Sequence, residues 1–185
     1  TLNRFPTSQL VNCNERYILL DCGEGTQVQL RKYHLKFQKI NLILISHLHG
    51  DHYFGLVGLI SSFVLLGRTQ KLTIICPEGL KQIVLSQVEM GNFKIPFEID
   101  FQEINLSTKG QVFEDKLFQV FAFPLNHRIK THGFEIREKK KPRHFIKEQL
   151  DFYEVSIKEI GELKNGKDLI RNGEIIPLKK YTKDS

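Results

Sequence analysis

A chain of 185 residues with 27 Lys and Arg against 21 Asp and Glu carries a formal charge of +6, and 41% of it is hydrophobic. That length supports one domain with a real core, and no apolar run approaches the roughly 20 residues that cross a bilayer as a helix, so no membrane partner is expected. Cys13, Cys22 and Cys76 are too scattered for a disulfide framework or a zinc knuckle and point to a reducing compartment, while the net charge favours a polyanionic partner only weakly.

In chain order, Tyr17 to Leu20, Leu42 to Ile45 and Leu72 to Ile75 are short apolar runs. They close on Asp21-Cys22-Gly23-Glu24-Gly25, Ser46-His47 and Cys76-Pro77, as buried strands do. Each is followed by helical periodicity: Thr26 to Leu35, Phe54 to Leu66 and Glu78 to Met90. This alternation predicts helices packed on a sheet, an α/β fold. Beyond Met90 the pattern changes. Phe97 to Ile104 and Leu117 to Phe123 alternate apolar and polar residues like half-exposed antiparallel strands, and Thr131 to Arg137 reads as the next strand. From Lys139 onward the chain is polar, interrupted by Gly161, Gly166 and Gly173. No repeat or linker divides it, so a single domain over 1–185 is expected.

The stretch Ser46-His47-Leu48-His49-Gly50-Asp51-His52 directly follows the second strand. Residues two apart in extended backbone project to one side, so His47 and His49 can converge on one metal ion. Gly50 is expected to supply an unusual backbone angle for the turn. Asp51 and His52 then open the next helix, where they can face a second ion. Imidazoles with a carboxylate suit zinc. A surface cluster of histidines is the bland alternative, which four potential ligands in six residues make improbable.

The HxHxDH pattern after a hydrophobic strand resembles the metallo-β-lactamase superfamily, which implies an αββα sandwich with metals at one edge. Three neighbouring matches resemble ribonuclease Z. Leu20-Asp21-Cys22-Gly23-Glu24-Gly25-Thr26-Gln27 is similar to that family's "DCGEGTQ" segment. His52-Tyr53-Phe54-Gly55-Leu56-Val57-Gly58-Leu59-Ile60-Ser61-Ser62 is similar to its "DHxxGLPGLLSS", with Gly55 and Gly58 expected to let a helix close on the sheet. Pro124-Leu125-Asn126-His127, with the following Thr131-His132-Gly133-Phe134-Glu135-Ile136, is similar to its next strand pair. By this resemblance His127 joins His47 and His49 on the first metal, Asp51 and His52 face the second, and Asp51 is the proton acceptor. Asp21 orients the histidine loop from behind.

The resemblance implies a zinc endoribonuclease that removes the 3′ trailer from precursor tRNA, leaving a tRNA 3′-hydroxyl and a 5′-phosphorylated trailer. It also implies a homodimer, in bacterial cytoplasm or an organelle such as the plastid stroma. The rivals are another hydrolase of the fold, acting on a small ester or phosphodiester, and a non-catalytic RNA-binding remnant. Between Arg128 and Lys147 lie eight Lys or Arg against two Glu. Lys139, Lys140, Lys141 and Arg143 in this tract are candidate RNA contacts. His132 lies beside a strand start, and His34 and His144 lie in basic, solvated segments. Residues 139–168 match the family's tRNA-gripping arm, although Tyr153 to Lys158 lack its Gly-Pro stretch. The family's metal-bridging Asp and late His find no counterpart before Ser185, nor its opening strand after Thr1. A chain truncated at both ends, with one well-held zinc in place of the family's two and little activity alone, is therefore expected.

Overall fold

A computed structural model describes residues 4–92, 94–139, 144–171 and 173–183. They form two compact units divided between Lys139 and Lys140. The first contains a five-stranded sheet in the order β1 (Gln9–Cys13), β2 (Arg16–Leu20), β3 (Ile40–Leu44), β4 (Leu72–Pro77) and β5 (Ile99–Ile104). β1 and β2 are antiparallel and the other pairings are parallel. Parallel neighbours need crossovers, and the helices supply them: α1 (Thr26–Lys32) after β2, α2 (Gly50–Tyr53) and α3 (Leu56–Leu65) after β3, and α4 (Leu80–Met90) after β4. A second, antiparallel sheet of three strands comprises β6 (Gly110–Glu114), β7 (Phe118–Leu125) and β8 (Thr131–Glu138).

Strand alternation divides the core in two. Ile43 and Ile45 point toward the helices, where they join Leu30 of α1, Leu56, Leu59, Ile60 and Phe63 of α3, and Leu80 and Val84 of α4. Leu42 and Leu44 point the other way and pack with Ile18, Ile75, Phe118 and Val120 between the two sheets. A central strand buried on both faces reads as a continuous apolar run, which is why β3 shows no polar alternation. The mixed α/β layering is the fold class expected from the sequence.

Several expectations need correction. β5 pairs parallel to β4, not antiparallel, and begins at Ile99. Its alternation reflects its place at the sheet's edge, where burial is partial. α1 stops at Lys32, before His34 takes a left-handed φ of 52°. The stretch from Phe54 to Leu66 is preceded by a separate short helix, so Asp51 and His52 lie in α2 rather than at the start of α3. Strands β1 and β6 were not anticipated. β1 and β2 form a hairpin whose tip residues, Asn14 and Glu15, both take positive φ, the geometry that suits the sheet's twist.

The second unit holds β9 (His144–Phe145) paired with β12 (Thr182–Lys183), helices α5 (Lys147–Phe152) and α6 (Ile157–Lys164), and the hairpin β10 (Leu169–Arg171) to β11 (Glu174–Ile176). Its own small core is Leu163, Leu169 and Tyr181. Ser156 and Glu159 cap α6 reciprocally, and Arg171 ties Glu159 to the carbonyls of Tyr153 and Glu154. Structure therefore extends into the stretch that the sequence presents as polar tail.

Candidate metal centre

The central strand β3 ends at Leu44 and carries the chain past its C-terminal end to Ser46. His47 follows, buried, and His49 leaves the strand direction as the residue before α2. The third imidazole comes from the other sheet. His127 sits in the loop between β7 and β8. One ligand atom from each of His47, His49 and His127 lies within 4.8 Å of the other two, and this is the group of three or more potential ligands found among the described residues. His47 Nε2 is 3.0 Å from His49 Nδ1, and His127 Nε2 is 3.4 Å from that same atom. The rings stand at 76–77° to one another.

This geometry tests whether a metal fits. Two nitrogens near 3 Å can share a proton, but one proton cannot satisfy three. A cation can. Tetrahedral zinc with bonds of about 2.0–2.1 Å separates its nitrogen ligands by about 3.3 Å, close to the spacings found. Burial, and then the neighbouring His52, His49 and His127, push the His47 imidazole below its ordinary pKa. That favours the neutral ring a metal needs. The donor set therefore fits a divalent metal.

Asp51 and His52 lie alongside. His52 Nε2 is 3.5 Å from Asp51 Oδ2, and its ring centroid is 3.9 Å from that of His47. On its other side, His52 Nδ1 is 2.7 Å from Asp21 Oδ2. Asp21 also accepts the backbone N–H of Ser46 at 2.8 Å and the Ser46 hydroxyl at 3.1 Å. The sequence reading overlooked Ser46, whose hydroxyl also lies 2.9 Å from His47 Nδ1. Its position between strand end and first histidine was the available signal. His132 is expected beside a strand start, within approach of a substrate, and it is instead a buried link between the sheets. Its backbone N–H donates to the Ser46 carbonyl, and its ring Nε2 accepts the backbone N–H of Leu106.

The glycines act differently from expectation. Gly50 has no unusual φ; a Cβ there would collide with the Phe54 ring. Gly55 closes on the Cys22–Gly23 backbone and Gly58 on Gln27 of α1, not on the sheet. Among the candidate RNA contacts, the Lys139 ammonium pairs with Glu114. Lys140, Lys141 and Arg143 lie outside the described residues.

Layered sheets with a histidine cluster at a strand-end edge define a metallo-β-lactamase-fold protein. At the level of fold, the metallo-beta-lactamase fold protein YhfI from Bacillus subtilis matches with a TM-score of 0.54 and 18% identity, over 74% of this chain and 52% of that one. Residues 1–136 match the family model described as "Anti-Pycsar protein Apyc1", and the chain belongs to that family. The resemblance to ribonuclease Z also holds. A Bacteroides fragilis protein named Ribonuclease Z is 43% identical over 100% of this chain and 61% of its own length. Human tRNase Z, short form (ELAC1), superposes with a TM-score of 0.67 and 32% identity, covering 73% of this chain and 61% of that one. The chain thus spans about three fifths of the length of the curated relatives it matches.

Proposed function

We propose that this protein is a zinc-dependent endoribonuclease that removes the 3′ trailer from precursor tRNA. The convergence of His47, His49 and His127 from two sheets carries the reading, and the names of the relatives supply the substrate. Zinc, when bound, provides a nucleophile at neutral pH and neutralises charge building on the phosphoryl group. The three histidines hold it, and Asp51 takes up the proton released as water attacks phosphorus. His52, braced by Asp21, stands with Asp51 where a second ion would complete the pair. The P–O3′ bond breaks, so the tRNA keeps a 3′-hydroxyl and the trailer leaves with a 5′-phosphate. Residues 139–168 serve as the arm that grips tRNA, the working form is a homodimer, and the bacterial relatives support the cytoplasm as its place.

A fold of this breadth does not choose its substrate, so hydrolysis of a small ester or phosphodiester is the second reading. One experiment separates them. Zinc per chain is measured, then cleavage of a precursor tRNA and of bis(p-nitrophenyl) phosphate is followed for the wild type and Asp51→Ala. For this chain we expect one bound zinc and only slow trailer release, which falls at least roughly a further hundredfold in the variant, the scale of a removed proton acceptor. Turnover of the small ester with the tRNA left intact would establish the second reading. A wild type that binds no zinc overturns both.

A further inference from the structure

We infer that the hollow beside His127 is a phosphate subsite, seating the phosphate of a nucleotide next to the bond that is cut. This deepens the reading above and rests on it. The hollow has a volume of about 300 Å³ and is lined by Asn105, His127, Arg128, Lys130 and His132, among others. It shares His127 with the metal cluster, so an occupant would adjoin the reacting group without displacing it.

Beside the apolar Leu106, Pro124, Leu125 and Ile129, the wall carries two cationic side chains. Lys130 has a carboxylate nearby, Glu78 at 4.0 Å, which also accepts from the Asn105 side chain. One acid therefore offsets one cation. Arg128 is exposed and makes no ion pair or hydrogen bond among the described residues. Its guanidinium is an always-charged fork matched to phosphate oxygens. His132 also lines the hollow. Its Nε2 accepts the Leu106 N–H at 3.1 Å, so the ring proton of the neutral form resides on Nδ1. That Nδ1 is buried and has no partner among the described residues. A buried donor without an acceptor is costly, and few are left so without a reason. An oxyanion complements the guanidinium and the ammonium together, whereas a cation complements neither and an apolar ligand would leave both unsatisfied.

Inorganic phosphate and uridine 5′-monophosphate are the probes. They are titrated into the metal-free chain at pH 7.5, with backbone amide resonances followed by NMR, so that direct coordination to zinc cannot mimic the site. Zinc content is measured on a parallel, loaded sample. We expect saturable binding of both probes, shifts concentrated at Leu106 and residues 127–132, and weakening as salt is raised. Arg128→Gln should bind both roughly tenfold more weakly, the effect of losing a hydrogen bond to a charged group, and its zinc content should be unchanged. No shift with phosphate, shifts elsewhere, or equal binding by Arg128→Gln would each overturn the subsite. Binding of the nucleotide but not of phosphate would overturn it too, since the base would then be the recognised group. A loaded sample without zinc would sink the metal reading instead, whatever the phosphate result.

Discussion

Asp21 shows how much of the centre depends on one side chain. It holds a left-handed backbone (φ 55°) and spends both carboxylate oxygens on the histidine loop: one on the Ser46 N–H, the other on the Ser46 hydroxyl and His52. Asparagine tolerates that backbone and preserves the shape while removing the charge. Asp21→Asn is expected to weaken zinc binding roughly 10–100-fold, as loss of a partner behind a ligating histidine does, while the fold persists. Competition with a chromophoric chelator, alongside circular dichroism, checks both halves. The buried histidines give the pH dependence its sign. Burial lowers the pKa of His47 and His132, so the unfolded chain takes up protons first as pH falls. The stability they contribute is present above the ordinary histidine pKa of about 6.5 and is lost as pH drops through the lowered folded values. The melting temperature of the metal-free chain should therefore fall between pH 7.5 and 5. His132→Gln, with one buried titration removed, should show a shallower fall.

At the level of elements, the turn after β2 and the entry to α3 are locked by contact. The Gly55 N–H donates to the Cys22 carbonyl at 2.9 Å, and a Cβ on Gly55 would strike the Gly23 carbonyl. Backbone cannot yield as a flexible side chain does. Gly55→Ala is expected to cost about 1–3 kcal/mol, the usual penalty for overpacking, measured by urea unfolding. An unchanged midpoint would refute the close approach. The strands β2, β3 and β4 and the helices α1, α3 and α4 were legible because their cues are local: apolar runs, strand-end punctuation and periodicity. His47, His49, Asp51 and His52 were legible for the same reason, lying within six residues. What spacing cannot report is which partner a strand takes. The parallel pairing of β5 depends on a neighbour more than twenty residues away, and the roles of Ser46 and His132 depend on a meeting of two sheets. Gly50 was picked out by type, but the cause is a ring four residues on and not a backbone angle.

For the whole molecule, the candidate metal and hollow residues named above lie before Lys140, in a unit that has its own two-sided core. A chain ending at Lys139 should fold cooperatively and retain zinc at the full chain's stoichiometry, as elemental analysis and calorimetry can establish. Loss of the metal from that shortened chain would show that the centre depends on residues beyond it.

Two of the imidazoles follow β3 of one sheet and the third belongs to the other, and 78 positions of sequence separate His127 from His49. An ion held between them would act as a rivet, closing a long loop that the unfolded chain leaves open. Saturation to a thousand times the dissociation constant would strengthen the native state by about 4 kcal/mol. Stripping the ion with a chelator should let that rim of the sandwich breathe, with amide protons of β7 and β8 exchanging faster while those deep in β3 hardly change.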